Sequence, residues 1–398
     1  MRILVLTSTF PRWPEDTEPR FVYDLCLQLS EHHRVEVLAP HTAGSECTEQ
    51  VGPLNVRRFR YCLPRWQQLA YGGGMLPNIR EKPLRLLLVP LFLLFQTIAT
   101  ARLLRREHYD VIHAHWIIPQ GLTAVIARLF SRHKPPIVLT SHGGDLFALK
   151  GRLLSRLKHW VCARADHLSV VSSAMRDKAA AIGLKALNDI SVIPMGTDTQ
   201  GHFLPPPSAD GRRDIVFVGR LVDKKGVEYL IQAMPTVLAN YPDCKLSIIG
   251  DGPLRETLEA LSDELALKGN IHFLGSQPNS QLPAYLQAAA VTVFPSVVAD
   301  TGDQEGTPVA IMEALACACA CVVCDYPGVR DIIIENNTGL LAAQRSLQEI
   351  AQQILRLLDE PELARTLGDN GRKHVMARYD WRVVESQFSA VFRQLGAR

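Results

Sequence analysis

Short apolar runs alternate with longer amphipathic stretches from one end of the chain to the other, and the pattern occurs twice over. Such alternation predicts parallel sheets covered by helices, because parallel strands need a crossover between them and are buried on both faces. In the first half the strand candidates are Ile3–Thr7, Val35–Ala39, Val111–His115, Ile137–Ser141, Leu168–Ser172 and Ser191–Pro194. Phe203-Leu-Pro-Pro-Pro-Ser then interrupts both periods, since proline cannot propagate a helix or a strand. The pattern restarts with Asp214–Val218, Lys245–Gly250, Ile271–Leu274, Val291–Phe294, Cys321–Cys324 and Gly339–Ala342. The expected fold class is α/β, two doubly wound parallel-sheet domains of similar size facing one another. The expected boundaries are a first domain over 1–200, a linker over 201–212, a second domain over 213–380, and a closing helix over 381–398 that returns to the first domain.

A chain of 398 residues, 47% hydrophobic and 21% charged, is globular and long enough for such a pair. Its net charge of +3 hides an asymmetry: residues 1–200 carry 25 Lys/Arg against 16 Asp/Glu, and residues 201–398 carry 18 against 24. Within 51–165 the ratio is 18 to 4, which suits an anionic membrane or lipid-linked substrate, or else a generally basic surface. The segment from Leu84 to Leu104 has a clean apolar run only from Leu86 to Phe95, too short to cross a bilayer. It is expected as a helix that is either packed in the first domain or lying on a membrane, with Arg102, Arg105 and Arg106 at its flank. Met1 leads straight into an apolar strand with no basic n-region, and nine cysteines in mostly apolar surroundings fit reduced thiols, so a cytoplasmic protein is expected. Cys317, Cys319, Cys321 and Cys324 lack zinc-finger spacing and are expected as core residues. The basic residues show no aromatic interleaving, which argues against nucleic acid.

In open α/β sheets ligands bind beyond the carboxyl ends of the strands, and the unusual residues of this chain fall there. His115 and Trp116 end one strand, and Ser141-His142-Gly143-Gly144-Asp145 follows another. Gly219-Arg220 and Gly250-Asp251-Gly252 follow two more, and Asp303-Gln304-Glu305 falls after a fifth. From Gly219 to Gly226 the chain carries Arg220 and Lys225, a fork and a point charge suited to a diphosphate. Glu305 and Glu313 are separated by seven residues across an expected helix start, with Thr307 as N-cap and Pro308 in the first turn. First-turn amides and a glycine, Gly306, favour an electron-rich ligand there, and the two carboxylates can accept hydrogen bonds from sugar hydroxyls. Paired cations beside paired carboxylates describe a nucleotide-sugar.

On these residues the whole chain resembles the glycosyltransferases of family four. The resemblance rests on Phe217-Val-Gly-Arg-Leu ending in Lys225-Gly226, Ile249-Gly-Asp-Gly-Pro253, Glu305 through Glu313 and Val192-Ile-Pro-Met-Gly-Thr-Asp198 with Phe203 behind it. Asp110-Val-Ile-His-Ala-His115 and Tyr379-Asp-Trp381 also match. It implies the GT-B fold of two Rossmann-like domains, and a retaining transfer from a nucleotide-sugar to an acceptor held by the first domain. A UDP- or GDP-sugar is expected as donor, and the basic first domain suggests a glycan or polyprenyl-diphosphate-linked acceptor, as in exopolysaccharide or cell-surface glycan assembly. Arg220 and Lys225 would bind the diphosphate, Glu313 the ribose, and Glu305 with the amides of Gly306 and Thr307 the transferred sugar. Gly219, Gly250 and Gly252 would line the donor site and His142 would stand near the reaction centre. Asp145 would orient His142 or begin the next helix, and Arg20, His115 and Asp145 are candidates for the acceptor side. His113 and His115 alternate along one strand, so at most one is expected to face the cleft.

No Asp-x-Asp occurs in the chain, so no metal and no other cofactor is expected, with Arg220 and Lys225 in place of an ion. The first loop, Phe10 to Phe21, has no glycine where the family has a glycine-rich loop, and Arg12, Asp16 and Arg20 are available there for an acceptor. Ala318-Cys319-Ala320-Cys321 stands where a Gly and a Pro are common in the family, a departure expected to affect packing. A nucleotide-sugar epimerase would need no acceptor and is disfavoured by the Arg220/Lys225 and Glu305/Glu313 combination, while the altered first loop leaves a non-catalytic partner in a polysaccharide assembly complex as the rival.

Overall fold

A computed structural model describes residues 1–13, 16–207, 214–300 and 302–396. The chain forms two compact units, Met1–Pro194 with Val384–Arg398, and Met195–Val383. The division falls at Pro194, ahead of the proline-rich stretch expected as the linker, and Phe203 is buried in the core of the second unit. Residues 208–212 of that expected linker, 14 and 15 of the first loop and 397–398 of the closing helix lie outside the described residues.

The first unit holds β1 (Arg2–Leu6), β2 (Arg34–Pro40), β3 (Thr48–Val51), β4 (Leu54–Phe59), β5 (Val111–His115), β6 (Ile137–Ser141), β7 (His167–Val170) and β8 (Ile190–Val192). They form one sheet in the order β3-β4-β2-β1-β5-β6-β7-β8, parallel except for the antiparallel β3–β4 pair. That hairpin was absent from the sequence expectation because its strands are polar. Arg58 is buried in β4, where its guanidinium is held by Glu49 of β3 at 2.6 Å, and Gly52 makes the turn at φ +59°. The closing helix, Trp381–Gly396, belongs with this unit from Val384 onward, and its Phe388 and Phe392 rings lie 4.9 and 5.5 Å from His113.

The second unit holds β9 (Asp214–Val218), β10 (Leu246–Ile249), β11 (Ile271–Gly275), β12 (Ala289–Phe294), β13 (Ala320–Cys324) and β14 (Leu340–Ala342), all parallel, in the order β11-β10-β9-β12-β13-β14. Period-two alternation divides its core between the two faces. Ile215, Phe217, Val322 and Cys324 enter one cluster, and Val216, Val218, Cys321 and Val323 the other. Cys317 and Cys319 join the second cluster as buried packing groups, and burial pushes the Cys324 thiol up to about 12. In both sheets the strand order reverses beside the first strand, between β1 and β5 and between β9 and β12. Ligand crevices of doubly wound sheets open at such reversals.

Pro83–Leu87 and Leu88–Arg106 form one continuous helical stretch, which by length and composition is apolar enough to cross a membrane. The short apolar run read from sequence therefore understated it. Phe92, Gln96, Thr100 and Leu103 are buried in the first unit, with Phe59 and Tyr61 edge-on to Phe92 at 5.0 and 5.2 Å between rings.

Candidate functional site

The loops after β9, β10 and β12 are drawn together by close backbone contacts. The amide of Gly219 donates to the carbonyl of Ile249, and that of Val297 to the carbonyl of Lys224, both at 2.9 Å. Gly250 has φ +141°, and a Cβ there would sit 1.9 Å from the carbonyl oxygen of Gly219. A Cβ on Gly252 would come within 2.3 Å of Leu221 O, and one on Gly226, at φ +62°, within 2.2 Å of Pro295 O. These glycines, two of them expected as donor contacts, thus have a packing reason of their own. Gly219 instead lies under Lys225, whose Cε would be 3.4 Å from a Cβ on it.

On this platform four charged side chains converge. Lys225 Nζ is 3.4 Å from Glu305 Oε2, and Lys224 Nζ is 3.5 Å from Glu305 Oε1 and 3.6 Å from Asp303 Oδ1. Sequence reasoning singled out Lys225 and Glu305 but missed Lys224 and Asp303, whose signal was only adjacency. All three contacts are longer than charge-assisted hydrogen bonds, about 2.7–2.9 Å, so the ammonium donors are not saturated. Burial, the strongest influence on Glu305, favours its neutral acid, but the two ammoniums prevail and hold the carboxyl at about 2. Burial likewise works against the Lys224 ammonium, which Glu305 and Asp303 keep above its ordinary range. Among the described residues, Glu305 Oε1 and the hydroxyl of Tyr326 are buried without a hydrogen bond, and Tyr326 is close enough to feel the Glu305 charge. Two unsatisfied polar atoms beside unsaturated cations suit a hydroxyl-rich anion. Arg220, Thr307 and Asp303 are partly exposed.

The helix after Glu305 is Val309–Ala316, with Pro308 as its N-cap in extended conformation (ψ 113°). Thr307 therefore precedes the cap instead of forming it, because the proline ring holds the extended residue itself. Gly306 packs under the next loop, since a Cβ on Gly328 would be 2.8 Å from its carbonyl oxygen. Glu313 is buried in the second turn.

Glu305 gives a pH prediction. Its folded pKa lies below the ordinary 4.5, so its contribution to stability is fully present above about pH 4.5 and is lost as pH falls toward 2. Glu305→Gln should remove a contribution on the order of 3 kcal/mol at neutral pH and flatten this part of the acid limb. Urea unfolding at pH 7 and pH 3 measures both, and equal losses at the two pH values would show that the lysines do not depress this carboxyl.

In the first unit, His115 Nδ1 and His142 Nε2 share a hydrogen bond of 2.9 Å, with rings stacked at 5.1 Å. His113 and His115 have rings 4.2 Å apart. The expectation that alternation separates them is wrong, because residues i and i+2 of a strand share a face. Among the described residues, His115 Nε2 is buried with no partner. A buried N–H without an acceptor is rarer than a lone pair without a donor, so the His115 proton belongs on Nδ1 and is donated to His142 Nε2. His142 then carries its own proton on Nδ1. Burial pushes His142 and His113 down to about 3, and His115 down as well with His113 and His142 adding to it, so all three are neutral at pH 7. Phe21 and Trp116 border His142 at 5.0 and 4.8 Å between rings, and Trp116 holds the left-handed φ of +76°. Phe21 had no signal in the sequence.

Two acceptor-side expectations are corrected here. His115 is wholly buried, so what it touches is His142. Asp145 is buried in the helical turn Gly144–Ala148, accepting from Ser141 Oγ at 2.7 Å and Ile117 N at 2.6 Å, so its carboxylate ties the loops after β5 and β6 together. Arg20 stays partly exposed, 3.3 Å from Asp24 and over the Tyr23 ring. Arg12 and Asp16 close on one another through contacts of 2.7 and 2.8 Å.

Residues 19–200 match the family described as Glycosyltransferase Family 4, and residues 202–374 match Glycosyl transferases group 1. The chain is 30% identical over 297 residues to the GDP-mannose-dependent alpha-(1-6)-phosphatidylinositol monomannoside mannosyltransferase of Mycolicibacterium smegmatis, covering 71% of this chain and 75% of that one. It is 23% identical over 301 residues to the N-acetyl-alpha-D-glucosaminyl L-malate synthase of Bacillus anthracis, covering 73% and 76%. Among solved structures it resembles the sucrose-phosphate synthase from Thermosynechococcus elongatus, with a TM-score of 0.79 at 22% identity over 100% of this chain and 99% of that one. Anabaena HepE in complex with UDP and glucose gives 0.74 at 18% identity, over 99% and 100%. The two parallel-sheet α/β domains are thus those of the GT-B fold, and the chain belongs to glycosyltransferase family four.

Proposed function

We propose that this glycosyltransferase moves a sugar, with retention and without a metal, from a UDP- or GDP-sugar to a glycan or polyprenyl-diphosphate-linked acceptor in polysaccharide assembly on the cytoplasmic side of a membrane. Lys224 and Lys225 meeting over buried Glu305, beside the β9/β12 reversal, carry this assignment. With Arg220 the two lysines supply the fixed positive charge that a departing diphosphate requires. Glu305, with the amides of Gly306 and Thr307, receives the sugar hydroxyls, Glu313 the ribose, and the Nδ1–H of neutral His142 donates to a sugar oxygen. The acceptor oxygen bonds to the anomeric carbon on the face from which the phosphate oxygen leaves, and the acceptor proton passes to that oxygen. The donor class draws support from the GDP-mannose-dependent relative and from the HepE complex with UDP.

Calorimetry with UDP, GDP, ADP and their sugars in EDTA tests the proposal. One nucleotide family should bind at micromolar Kd, and binding should be lost in Arg220→Ala. Binding that appears only with a divalent ion would overturn metal independence, and no binding by any nucleotide would overturn the donor assignment.

A further inference from the structure

The helical stretch Pro83–Arg106 presents to solvent a face that no part of its own unit covers. Leu84 is 81% exposed, Leu87 72% and Leu94 53%, with Leu91 and Phe95 also exposed. Positions 84, 87, 91 and 94 are three or four residues apart, so they form one stripe along the helix. Phe92, Gln96 and Thr100 on another face are buried. A helix fastened to a folded domain through Phe92, Gln96, Thr100, Leu103 and Leu104 cannot cross a bilayer with that domain attached, but it can lie flat on one.

Charge identifies the occupant. Residues 80–106 contain six Lys/Arg and one acidic residue, Glu81. Arg80 and Lys82 at one end, and Arg102, Arg105 and Arg106 at the other, are exposed. Trp66, 54% exposed, stands on the adjoining segment, which Tyr61 ties to the helix through Phe92. Apolar side chains flanked by cations, with an amphipathic indole at the edge, suit the boundary between acyl chains and anionic headgroups. A protein partner or a second copy would cover the leucines but would leave clustered cations at both ends unanswered.

We propose that this face is a docking surface for an anionic lipid bilayer, holding the first unit against the membrane with the helix in the interfacial plane. The surface stands on its own observations, independent of the donor assignment above.

Flotation of the full chain with vesicles of phosphatidylcholine, with and without about 30% phosphatidylglycerol, tests it. Binding should require the anionic lipid, weaken several-fold in 0.5 M salt, and fall at least about tenfold in a Leu84→Ser, Leu87→Ser, Leu94→Ser variant. Each of these leucines is exposed, so the variant should keep its melting temperature, and Ile334→Ser, an exposed apolar residue of the second unit, should bind vesicles like the parent. Absence of flotation, or equal flotation by the triple variant, would overturn the proposal. So would a concentration-dependent dimer abolished by the same substitutions without vesicle binding, which would make a second copy the occupant. Because nucleotide calorimetry is read in lipid-free solution, loss of the donor reading leaves the flotation result intact and the reverse also holds.

Discussion

Lys225→Ala is expected to lower kcat by about two to three orders of magnitude while the protein remains folded. The side chain lies over Gly219 and reaches Glu305 at 3.4 Å, at the carboxyl end of β9, where the proposed donor would place its departing diphosphate. Lys225→Arg should recover part of the loss, since a guanidinium keeps the charge but places it differently. Folding is spared because Glu305 keeps Lys224 as a partner. Steady-state kinetics with the donor identified by calorimetry reads the effect. A kcat within threefold of the parent would remove Lys225 from the reacting charge and leave it a counter-ion of Glu305 alone.

Gly250→Ala is expected to destabilise the second unit by about 3–5 kcal/mol or to prevent its folding. Two costs combine. The residue holds φ +141°, where an L side chain is strained, and the new Cβ would meet the Gly219 carbonyl at 1.9 Å, a backbone atom fixed by the sheet. Relief would require β9 and β10 to separate at the end that carries Arg220 and Lys225, so residual activity should fall with stability. Gly269→Ala serves as the control, since a Cβ there meets nothing within 4 Å. Thermal unfolding of both variants gives the comparison, and matching midpoints would show that the loops after β9 and β10 yield easily.

The strands of the second unit were legible because each is apolar on both faces and bounded by turn residues; Asp214–Val218 begins and ends where its composition does. The β3–β4 hairpin was not, because Arg57 and Arg58 hide its burial until Glu36 and Glu49 are seen opposite them. Lys225 and Glu305 could be named from motif and spacing, whereas Lys224 and Tyr326 enter only when separate loops are brought together. The acceptor side read worse for a similar reason. A strand-end histidine looks like a ligand contact in one dimension, and only the 2.9 Å contact between His115 and His142 turns it into the support of another ring. The long apolar helix shows the same limit: its sequence gives the hydrophobicity of every residue but not which face Phe92 and Gln96 take inward.

The contacts of Lys224 and Lys225 with Glu305 mean that these two cations are not naked in the resting protein. Any anion that approaches them competes with a tethered carboxylate whose effective concentration is high and whose own solvation is poor. A monovalent ion such as chloride offers no more charge than Glu305 and cannot follow both ammoniums at once. A diphosphate offers more charge and spans two donors, so it can draw the lysines away and release the carboxylate to accept hydroxyl groups. The ion pair would then act as a discriminator built into the site, rejecting the salts of the cell and yielding to multivalent anions.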